Sequence, residues 1–378
     1  MIFQTPDLQE GDKRVLSLIR DQRDKLKLYT QNNPRKWSGS LRRSTFARAI
    51  QGSNTIEGYN ASLDEVIAAV EEEPPLDERN ETWFAINGYR AALTYIIQAV
   101  NDRHFELGRQ FLKSLHFMMV GFDLNAYPGQ WRPGIVCVVN KKTGNVEYTA
   151  PDEDFVDPLM EELVGFLRDQ SHESTVVTAA MSHLNLTMIH PFKDGNGRMA
   201  RALQTLILAR EGILHPVFSS IEEWLGKNTE EYYKVLAEVG QGKWNPLNDA
   251  LPWVRFCLKA HYQQASLLIR RNEEYENLYG EIMEIVQREG INDRTAMPLF
   301  DCAIGISITN SRYQKDADVS TYVASRDLKM LAEIGLVEPH GERRGRYYTA
   351  GKELKQVRDS VRIKKIIMNP FDLPSLDV

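Results

Sequence analysis

Apolar residues recur at intervals of three and four along most of this chain, and this spacing constrains its fold more than any other feature. Such spacing places apolar side chains on one face of an α-helix, where a neighbouring helix can bury them. The pattern therefore predicts a mainly α protein. The predicted helices cover residues 16–29, 44–50, 82–100, 109–119, 158–167, 176–189, 199–211, 229–239, 253 to about 270, and 320–334.

One segment departs from the helical pattern and predicts a β-hairpin. Residues 135–139 are apolar and mostly β-branched, and residues 146–149 form a second short strand that stops before Pro151. The turn between them contains Gly144 and Asn145, residues that tolerate the backbone angles of tight turns. Because an isolated hairpin is barely stable in water, we expect it to pack on the helices and to offer a backbone edge for pairing.

The last part of the chain has a different organisation. Gly335 ends the predicted helix 320–334, and short strands at 336–339 and 346–349 flank a basic tip at 340–345. This order resembles a winged helix-turn-helix module. Between Gly341 and Lys365, nine basic residues face three acidic ones, which suits a DNA backbone. The helix itself has a mixed face, which favours protein interaction over DNA binding; its charged residues are Arg326, Asp327, Lys329 and Glu333.

Composition excludes several classes of protein. The 378 residues contain 46 Lys and Arg against 52 Asp and Glu, a net charge of −6 that excludes a globally basic nucleic-acid coat. No apolar run approaches the roughly 18 residues that a membrane helix needs, and the first residues do not resemble a signal peptide. We therefore expect a soluble, cytoplasmic protein with no membrane partner. Three distant cysteines predict neither disulfides nor a zinc site, and we expect small buried side chains at Cys137, Cys257 and Cys302.

The most informative segment is HPFKDGNGRMAR, which runs from His190 to Arg201 and predicts a loop that enters a helix. Pro191 stops the preceding helix, and Phe192 is the apolar anchor of the loop. Gly195 and Gly197 allow backbone angles that other residues avoid, so that successive N–H groups can converge at the start of the next helix. Converging amides at a helix N-terminus form a site for phosphate.

The charged residues of this segment predict phosphoryl or nucleotidyl transfer. Arg198 and Arg201 lie three residues apart, share a helix face and can hold a polyphosphate. Asp194 offers a carboxylate to a phosphate-bound Mg²⁺. His190 titrates near neutrality and is the candidate general base.

The segment is similar, position for position, to the HPFx[D/E]GNGRxxR motif of the Fic family, whose members mostly transfer AMP from ATP to protein hydroxyl groups. The resemblance implies an ATP- and Mg²⁺-dependent protein adenylyltransferase. It further implies that His190 deprotonates a Tyr, Thr or Ser hydroxyl and that Asp194 holds the metal. The amides of Gly195, Asn196 and Gly197 and the Asn196 side chain would bind phosphate oxygens, and the β/γ end would be held by Arg198 and Arg201.

The resemblance extends to two other segments. The hairpin corresponds to the family's flap, which would align the target by strand addition through Val146, Glu147, Tyr148 and Thr149; the alternative is a purely structural hairpin. Tyr232 and Tyr233 lie where family members place aromatic contacts to adenosine. Adjacent helical residues point in different directions, so we expect only one of the two tyrosines to touch nucleotide.

A candidate inhibitory segment precedes the motif. Glu57 lies at the end of a helix that stops at Gly58, where a carboxylate meets the negative end of the helix dipole and needs a partner. Ser53 through Gly58 resembles the family's inhibitory motif [S/T]xxxE[G/N], as in the subclass with an N-terminal inhibitor. The resemblance implies that Glu57 pairs with Arg201 in the place of the γ-phosphate, and in some relatives the same glutamate helps to remove AMP. The alternative is an ordinary solvated helix end.

The sequence thus predicts three parts: an N-terminal helical region with the inhibitory helix (1–100), a Fic catalytic core (101–260), and a linker helix with a winged-helix domain (261–378). The expected partners are a target protein with an exposed hydroxyl and a second copy of the chain. Two alternatives stay open, namely transfer of UMP or another nucleotide, and a DNA-binding regulator with secondary Fic activity. His116 and His183 are predicted to be hydrogen-bonded core residues, not metal ligands.

Overall fold

The computed structural model describes residues 1–31, 35–73, 80–139, 144–169, 174–212, 216–342 and 345–374. Within these ranges the chain is mainly helical, as the apolar spacing predicts. The helices are α1 (Glu10–Gln31), α2 (Ser38–Ile56), α3 (Leu63–Val70), α4 (Glu81–Ala99), α5 (Arg109–Val120), α6 (Val156–Arg168), α7 (Thr175–Ile189), α8 (Asn196–Arg210), α9 (Pro216–Ser219), α10 (Glu222–Lys227), α11 (Thr229–Gly240), α12 (Leu251–Arg288), α13 (Ala296–Ala303), α14 (Asn310–Ala317), α15 (Thr321–Glu333) and α16 (Lys352–Ser360). The strands are β1 (Cys137–Val139), β2 (Val146–Thr149), β3 (Ile308–Thr309), β4 (Val337–His340) and β5 (Tyr347–Ala350).

Local signals explain where several helices begin and end. Ser62 and Glu65 form a reciprocal capping box at the start of α3, and the Ser320 side chain caps α15. Gly335 follows α15 with a φ of 75°, as predicted. The linker helix α12 is longer than predicted: it spans 38 residues and does not end near residue 270. Buried residues continue along its later turns, including Leu278, Ile282 and Ile285.

The centre of the molecule is the pair α7 and α8, which pack along each other. α1 lies along the long helix α12, and α10 crosses α2. This crossing is unusually close, because a Cβ atom added to Gly52 would lie 2.3 Å from the carbonyl oxygen of Glu222, and one added to Gly226 would lie 2.7 Å from the Cα of Gly52. The two backbones therefore touch, and α10 fixes the position of α2.

The predicted hairpin is present. β1 pairs antiparallel with β2, with Cys137 opposite Thr149 and Val138 opposite Tyr148. Most of the predicted turn falls on residues 140–143, which lie outside the described ranges. Cys257 and Cys302 are buried as expected, but the expectation for Cys137 is wrong, because this residue lies on a strand that leaves its side chain exposed.

In the C-terminal part, the predicted helix and strands appear as α15, β4 and β5. The sheet has three strands in the order β3-β5-β4, all antiparallel. Sequence analysis missed β3, since two residues carry no recognisable strand pattern. The predicted basic tip includes residues 343 and 344, which lie outside the described ranges. The three-part division stays a prediction, and α12 passes through its second boundary without a break.

A search of the described residues found no helix with the length and apolar character that a membrane span requires.

Candidate active site

The predicted loop lies between α7 and α8. α7 ends at Ile189, His190 adopts the left-handed conformation with a φ of 53°, and Gly195 with a φ of 79° leads into α8. The first N–H groups of α8 have no partner inside the helix and are aimed at the loop. Gly197 is helical, so our expectation that it needs special backbone angles is wrong. It is required for space instead, because a Cβ there would lie 2.3 Å from Oε1 of Glu57.

Asn196 closes the loop upon itself. Its Oδ1 accepts a hydrogen bond from the N–H of Phe192 at 2.9 Å, and its Nδ2 donates to the Phe192 carbonyl oxygen at 2.8 Å. Phe192 is fully buried, as predicted. These two bonds use one of the two Nδ2 hydrogens, so phosphate binding by the Asn196 side chain stays a prediction, as it does for the main-chain amide.

His116 on α5 contacts the loop through its ring face and through one of its two ring nitrogens. Its ring stacks on Phe192 at 3.8 Å, its Nε2–H donates to the Asp194 carbonyl oxygen at 2.9 Å, and its Nδ1 accepts from the N–H of Gly129 at 2.9 Å. Burial lowers the pKa of His116 to about 4, so the ring is neutral. The prediction of a hydrogen-bonded core histidine is confirmed, but its contact with the catalytic motif was not foreseen.

Arg132 ties the same loop to the base of the hairpin, and sequence analysis missed it. Its Nε donates to the carbonyl oxygen of His190 at 2.9 Å, and its backbone N–H donates to that of Pro191 at 2.9 Å. The remaining guanidinium nitrogens bond the carbonyl oxygens of Gly134 and Pro151. The buried Arg132 side chain thus joins the start of the loop to the residues that precede β1 and follow β2.

The imidazole of His190 is oriented as a proton acceptor. A carbonyl oxygen can only accept, so the contact of Nδ1 with the Thr187 carbonyl at 3.1 Å places the proton on Nδ1. Nε2 therefore keeps its lone pair. Burial lowers the pKa of His190, against the bond to the Thr187 carbonyl and the charges of Glu57 and Asp194, which raise it. A lowered pKa favours the neutral ring that a general base needs.

Arg198 and Arg201 share one face of α8, as predicted, and each is only 1% exposed. Arg198 donates to Oδ2 of Asp194 at 3.3 Å, and its guanidinium lies 5.2 Å from the centre of the Tyr59 ring. Within the described part of the chain, Nε and Nη1 of Arg198 and Nη1 of Arg201 are buried without hydrogen-bond partners. Buried donors without partners carry a free-energy cost that a bound anion relieves.

The inhibitory segment meets the catalytic motif at Arg201. α2 ends at Ile56, and Gly58 follows with a φ of 94°. Arg201 Nη2 lies 2.5 Å from Oε1 of Glu57 and 3.0 Å from the carbonyl oxygen of Ser53, while Nε donates to Oγ of Ser53 at 2.7 Å. Burial alone would raise the pKa of Glu57, but Arg201 holds it below its ordinary value. The predicted contact of Glu57 with Arg201 is therefore present, and Ser53, predicted only as part of the inhibitory motif, also bonds Arg201.

The two tyrosines point in different directions, as expected. Tyr232 is 1% exposed, and its hydroxyl bonds Nε2 of His183 at 3.0 Å in the core. A nucleotide contact by Tyr232 stays a prediction. Tyr233 is 48% exposed, and its hydroxyl donates to the Ile56 carbonyl oxygen at 3.2 Å, beside Glu57. His183 is the predicted core histidine, and its Nδ1 contacts Gln204 at 2.6 Å.

The outer edge of the hairpin is partly occupied. The Thr149 N–H donates to the Gly242 carbonyl oxygen at 3.0 Å, and the Trp244 N–H donates to the Thr149 carbonyl oxygen at 3.0 Å. The Tyr148 side chain is buried, and its hydroxyl donates to the Met188 carbonyl oxygen at 2.8 Å. Strand addition by a target cannot run through Thr149, so the predicted flap role is wrong for Tyr148 and Thr149. For Val146 and Glu147 it stays a prediction.

Comparisons with known proteins agree with this geometry. Residues 106–208 match the Fic/DOC family. The chain is 28% identical over 274 residues to protein adenylyltransferase fic-1 of Caenorhabditis elegans, covering 70% of this chain and 48% of the relative. It is 26% identical over 262 residues to protein adenylyltransferase Fic of Nematostella vectensis, covering 67% of this chain and 55% of the relative. The chain thus spans about half the length of these curated relatives.

Solved structures show the same fold. A Fic family protein from Desulfovibrio desulfuricans G20 aligns with a TM-score of 0.60 at 21% identity, over 93% of this chain and 99% of that one. A fragment of Fic-1 from C. elegans aligns with a TM-score of 0.55 at 24% identity, over 68% and 72% of the two chains. This chain has the Fic fold, and its residues 106–208 match the Fic/DOC family.

Proposed function

We propose that this chain is a protein adenylyltransferase that transfers AMP from ATP to a Tyr, Thr or Ser hydroxyl of a target protein. One observation carries the proposal: the neutral, acceptor-oriented imidazole of His190 lies on the same short loop that leads to two buried arginines with unpartnered donors. The names of the curated relatives, which are protein adenylyltransferases, support it.

In the reaction, the triphosphate lies at the N-terminus of α8. The amides of Gly195, Asn196 and Gly197 and the guanidinium groups of Arg198 and Arg201 bind its oxygens. The target hydroxyl oxygen attacks the α-phosphorus, and His190 Nε2 takes the hydroxyl proton. The bond from the α-phosphorus to the oxygen that bridges to the β-phosphate breaks, and pyrophosphate leaves with its charge held by the arginines.

Asp194 is the residue that would hold Mg²⁺. Its side chain is 59% exposed and lies beside the phosphate site. Mg²⁺ in nucleotide sites commonly takes one or two carboxylates, substrate phosphates and water. That donor set fits this site, where no cluster of three or more His, Cys, Asp or Glu ligands occurs among the described residues. When bound, the metal supplies neutralisation of the phosphate charge.

The same geometry supports intramolecular inhibition. The carboxylate of Glu57 neutralises Arg201. It also lies so close to Gly197, in the first turn of α8, that a side chain there would collide with it. The negative charge of Glu57 would repel a γ-phosphate from its position at Arg201. We infer that ATP binds productively only after Glu57 leaves Arg201, and this assigns the chain to the subclass with an N-terminal inhibitor.

We propose that the C-terminal part is a winged helix that binds protein and not DNA. Asp327, on the helix that would enter a DNA groove, is buried and held by Nε of Arg294 at 2.6 Å and by the Tyr313 hydroxyl at 2.9 Å. On the exposed face of this helix, the Lys329 ammonium lies 3.6 Å from the Glu333 carboxylate, which offsets its charge toward DNA. Retention on heparin or DNA that decreases with salt would favour the DNA-binding alternative.

Incubation with ATP labelled at the α-phosphate tests the transferase activity. We expect Glu57→Gly to label itself or an added target, the further substitution His190→Ala to abolish labelling, and the control His104→Ala, at an exposed histidine, to leave it intact. The mass of the adduct distinguishes AMP from UMP or another nucleotide. A Glu57→Gly protein that binds ATP and transfers no nucleotide would overturn the proposal.

A further inference from the structure

A basic cavity is lined by Arg48 of α2, nine residues before Glu57. Its volume is about 790 Å³, which falls in the range of small-molecule sites. Its walls come from α2, α10, α12 and residues 358–367. Among its described lining residues eight are Lys or Arg and one, Glu274, is acidic. We call it the Arg48 cavity.

Two arginines of this cavity each carry a buried nitrogen without a hydrogen-bond partner in the described part of the chain. Arg271 is 8% exposed; its Nη2 donates to Oε1 of Glu223 at 2.6 Å, but its Nη1 is buried without a partner in the described part of the chain. The Nε of Arg48 is buried in the same unpartnered state. Burial, followed by the charge of Arg271, lowers the pKa of Arg48. Glu223 offsets part of this positive charge, but the buried donors on Arg48 and Arg271 stay available to an anion.

The outer wall adds further positive charge. The backbone of this wall is fixed along α12, since the N–H of Ile363 donates to Glu274 Oε1 at 2.8 Å and Arg270 Nη1 donates to the Lys365 carbonyl oxygen at 2.8 Å. Arg362 and Lys364 on the same segment are exposed side chains that line the cavity. Part of the basic run that the sequence placed near the winged helix therefore lies here.

We propose that the Arg48 cavity binds a small anion with two or more phosphate groups. Several cations exceed what a single phosphate can neutralise, and the unpartnered donors lie at the buried end, within reach of a terminal phosphate. The sugar-phosphate backbone of a nucleic acid presents its charges along an exposed strand and does not enter such a recess. Tyr275, Leu278 and Ile304 add an apolar wall that suits the organic part of a nucleotide.

The ligand would also strengthen the inhibition, a second step that rests on the proposed function. Arg48 precedes Glu57 by nine residues on one helix, or about 13 Å along its axis. Between them α2 touches the backbone of α10 at Gly52. An anion that bridges Arg48 and Arg271 ties α2 and α10 to α12, and so holds Glu57 against Arg201.

Tripolyphosphate binding to the full chain, measured by calorimetry, tests the site. The Arg198→Met background weakens the active site so that it does not dominate the signal. In it, we expect Arg48→Met to reduce tripolyphosphate affinity at least about 10-fold, while Arg42→Met, an exposed arginine on the same helix, leaves it unchanged. Orthophosphate should bind far more weakly. If Arg48→Met does not fold, as judged by circular dichroism, Lys364→Gln with Arg362→Gln replaces it.

The outcomes separate the site from the proposed activity. Equal tripolyphosphate affinity with and without Arg48 overturns the proposal, as does binding of a single-stranded oligonucleotide without binding of tripolyphosphate. These arms need no enzymatic activity. For the regulatory step, tripolyphosphate should inhibit AMP incorporation by the wild type more strongly than by Arg48→Met, and this difference should disappear in Glu57→Gly. A difference that persists without Glu57 refutes the coupling.

Discussion

Replacement of Glu57 by glutamine isolates the charge of the inhibitory contact, since the two side chains have nearly the same shape. The wild-type contact joins Arg201 Nη2 to Glu57 Oε1 at 2.5 Å. A hydrogen bond between charged groups contributes about 1.5–3 kcal/mol net, and a neutral one about 0.5–1.5 kcal/mol. The substitution should therefore weaken the inhibited state by about 1–2 kcal/mol, which raises the open fraction about 5- to 25-fold.

The assay is the initial rate of AMP incorporation at an ATP concentration below saturation. Glu57→Gln should increase this rate about 5- to 25-fold, and Glu57→Gly, which also removes the steric block and the whole hydrogen bond, about 10- to 150-fold. Glu230→Gln, a matched change at an exposed carboxylate on α11, should have no effect. A large gain for Glu57→Gly with none for Glu57→Gln would refute the electrostatic reasoning and leave a purely steric block.

Three further predictions concern side chains around the site. His116→Ala removes the bonds to Asp194 and Gly129, so in a Glu57→Gly background it should lower AMP incorporation at least about 10-fold and the free energy of unfolding by about 1–3 kcal/mol; unchanged rates would contradict its positioning role. Tyr233→Phe should raise the KM for ATP or the basal rate while Tyr232→Phe mainly lowers stability, as kinetics and urea unfolding can decide. Burial raises the pKa of Glu222 to about 7. Its contribution to stability is therefore complete below the usual pKa of 4.5 and is lost as pH rises toward 7, by about 3 kcal/mol. Urea unfolding of Glu222→Gln at pH 5 and 8 should lack this decline.

The parts of the site that sequence could predict are those encoded within short segments. The order of residues from His190 to Arg201 places the base, the carboxylate and both arginines on one loop and one helix face, and the structure keeps them there. The contact of Glu57 with Arg201 was also predicted, although 144 residues separate them. It came from a family resemblance on both segments, because no local pattern pairs two distant charges.

What sequence could not predict depends on partners that are far along the chain. Arg132 bonds the carbonyl oxygen of His190, 58 positions away. His116 bonds the carbonyl oxygen of Asp194, 78 positions away. Backbone carbonyls are present at every residue, so no side-chain pattern marks such partners. The edge of Thr149 is likewise covered by residues 242 and 244. For the two tyrosines, helix geometry predicted divergence, but the packing of α11 on α12 decides which one is buried.

The backbone contact between Gly52 and Gly226 limits how the proposed inhibition by Glu57 can be relieved. With no clearance between the two helices, α2 cannot tilt toward α10 without displacing it. Relief of the proposed inhibition therefore requires rotation of the Glu57 side chain about its own bonds, separation of α2 from α10, or joint displacement of both segments. A methyl group added at Gly52 or Gly226 should push the two helices apart and so change the resting activity.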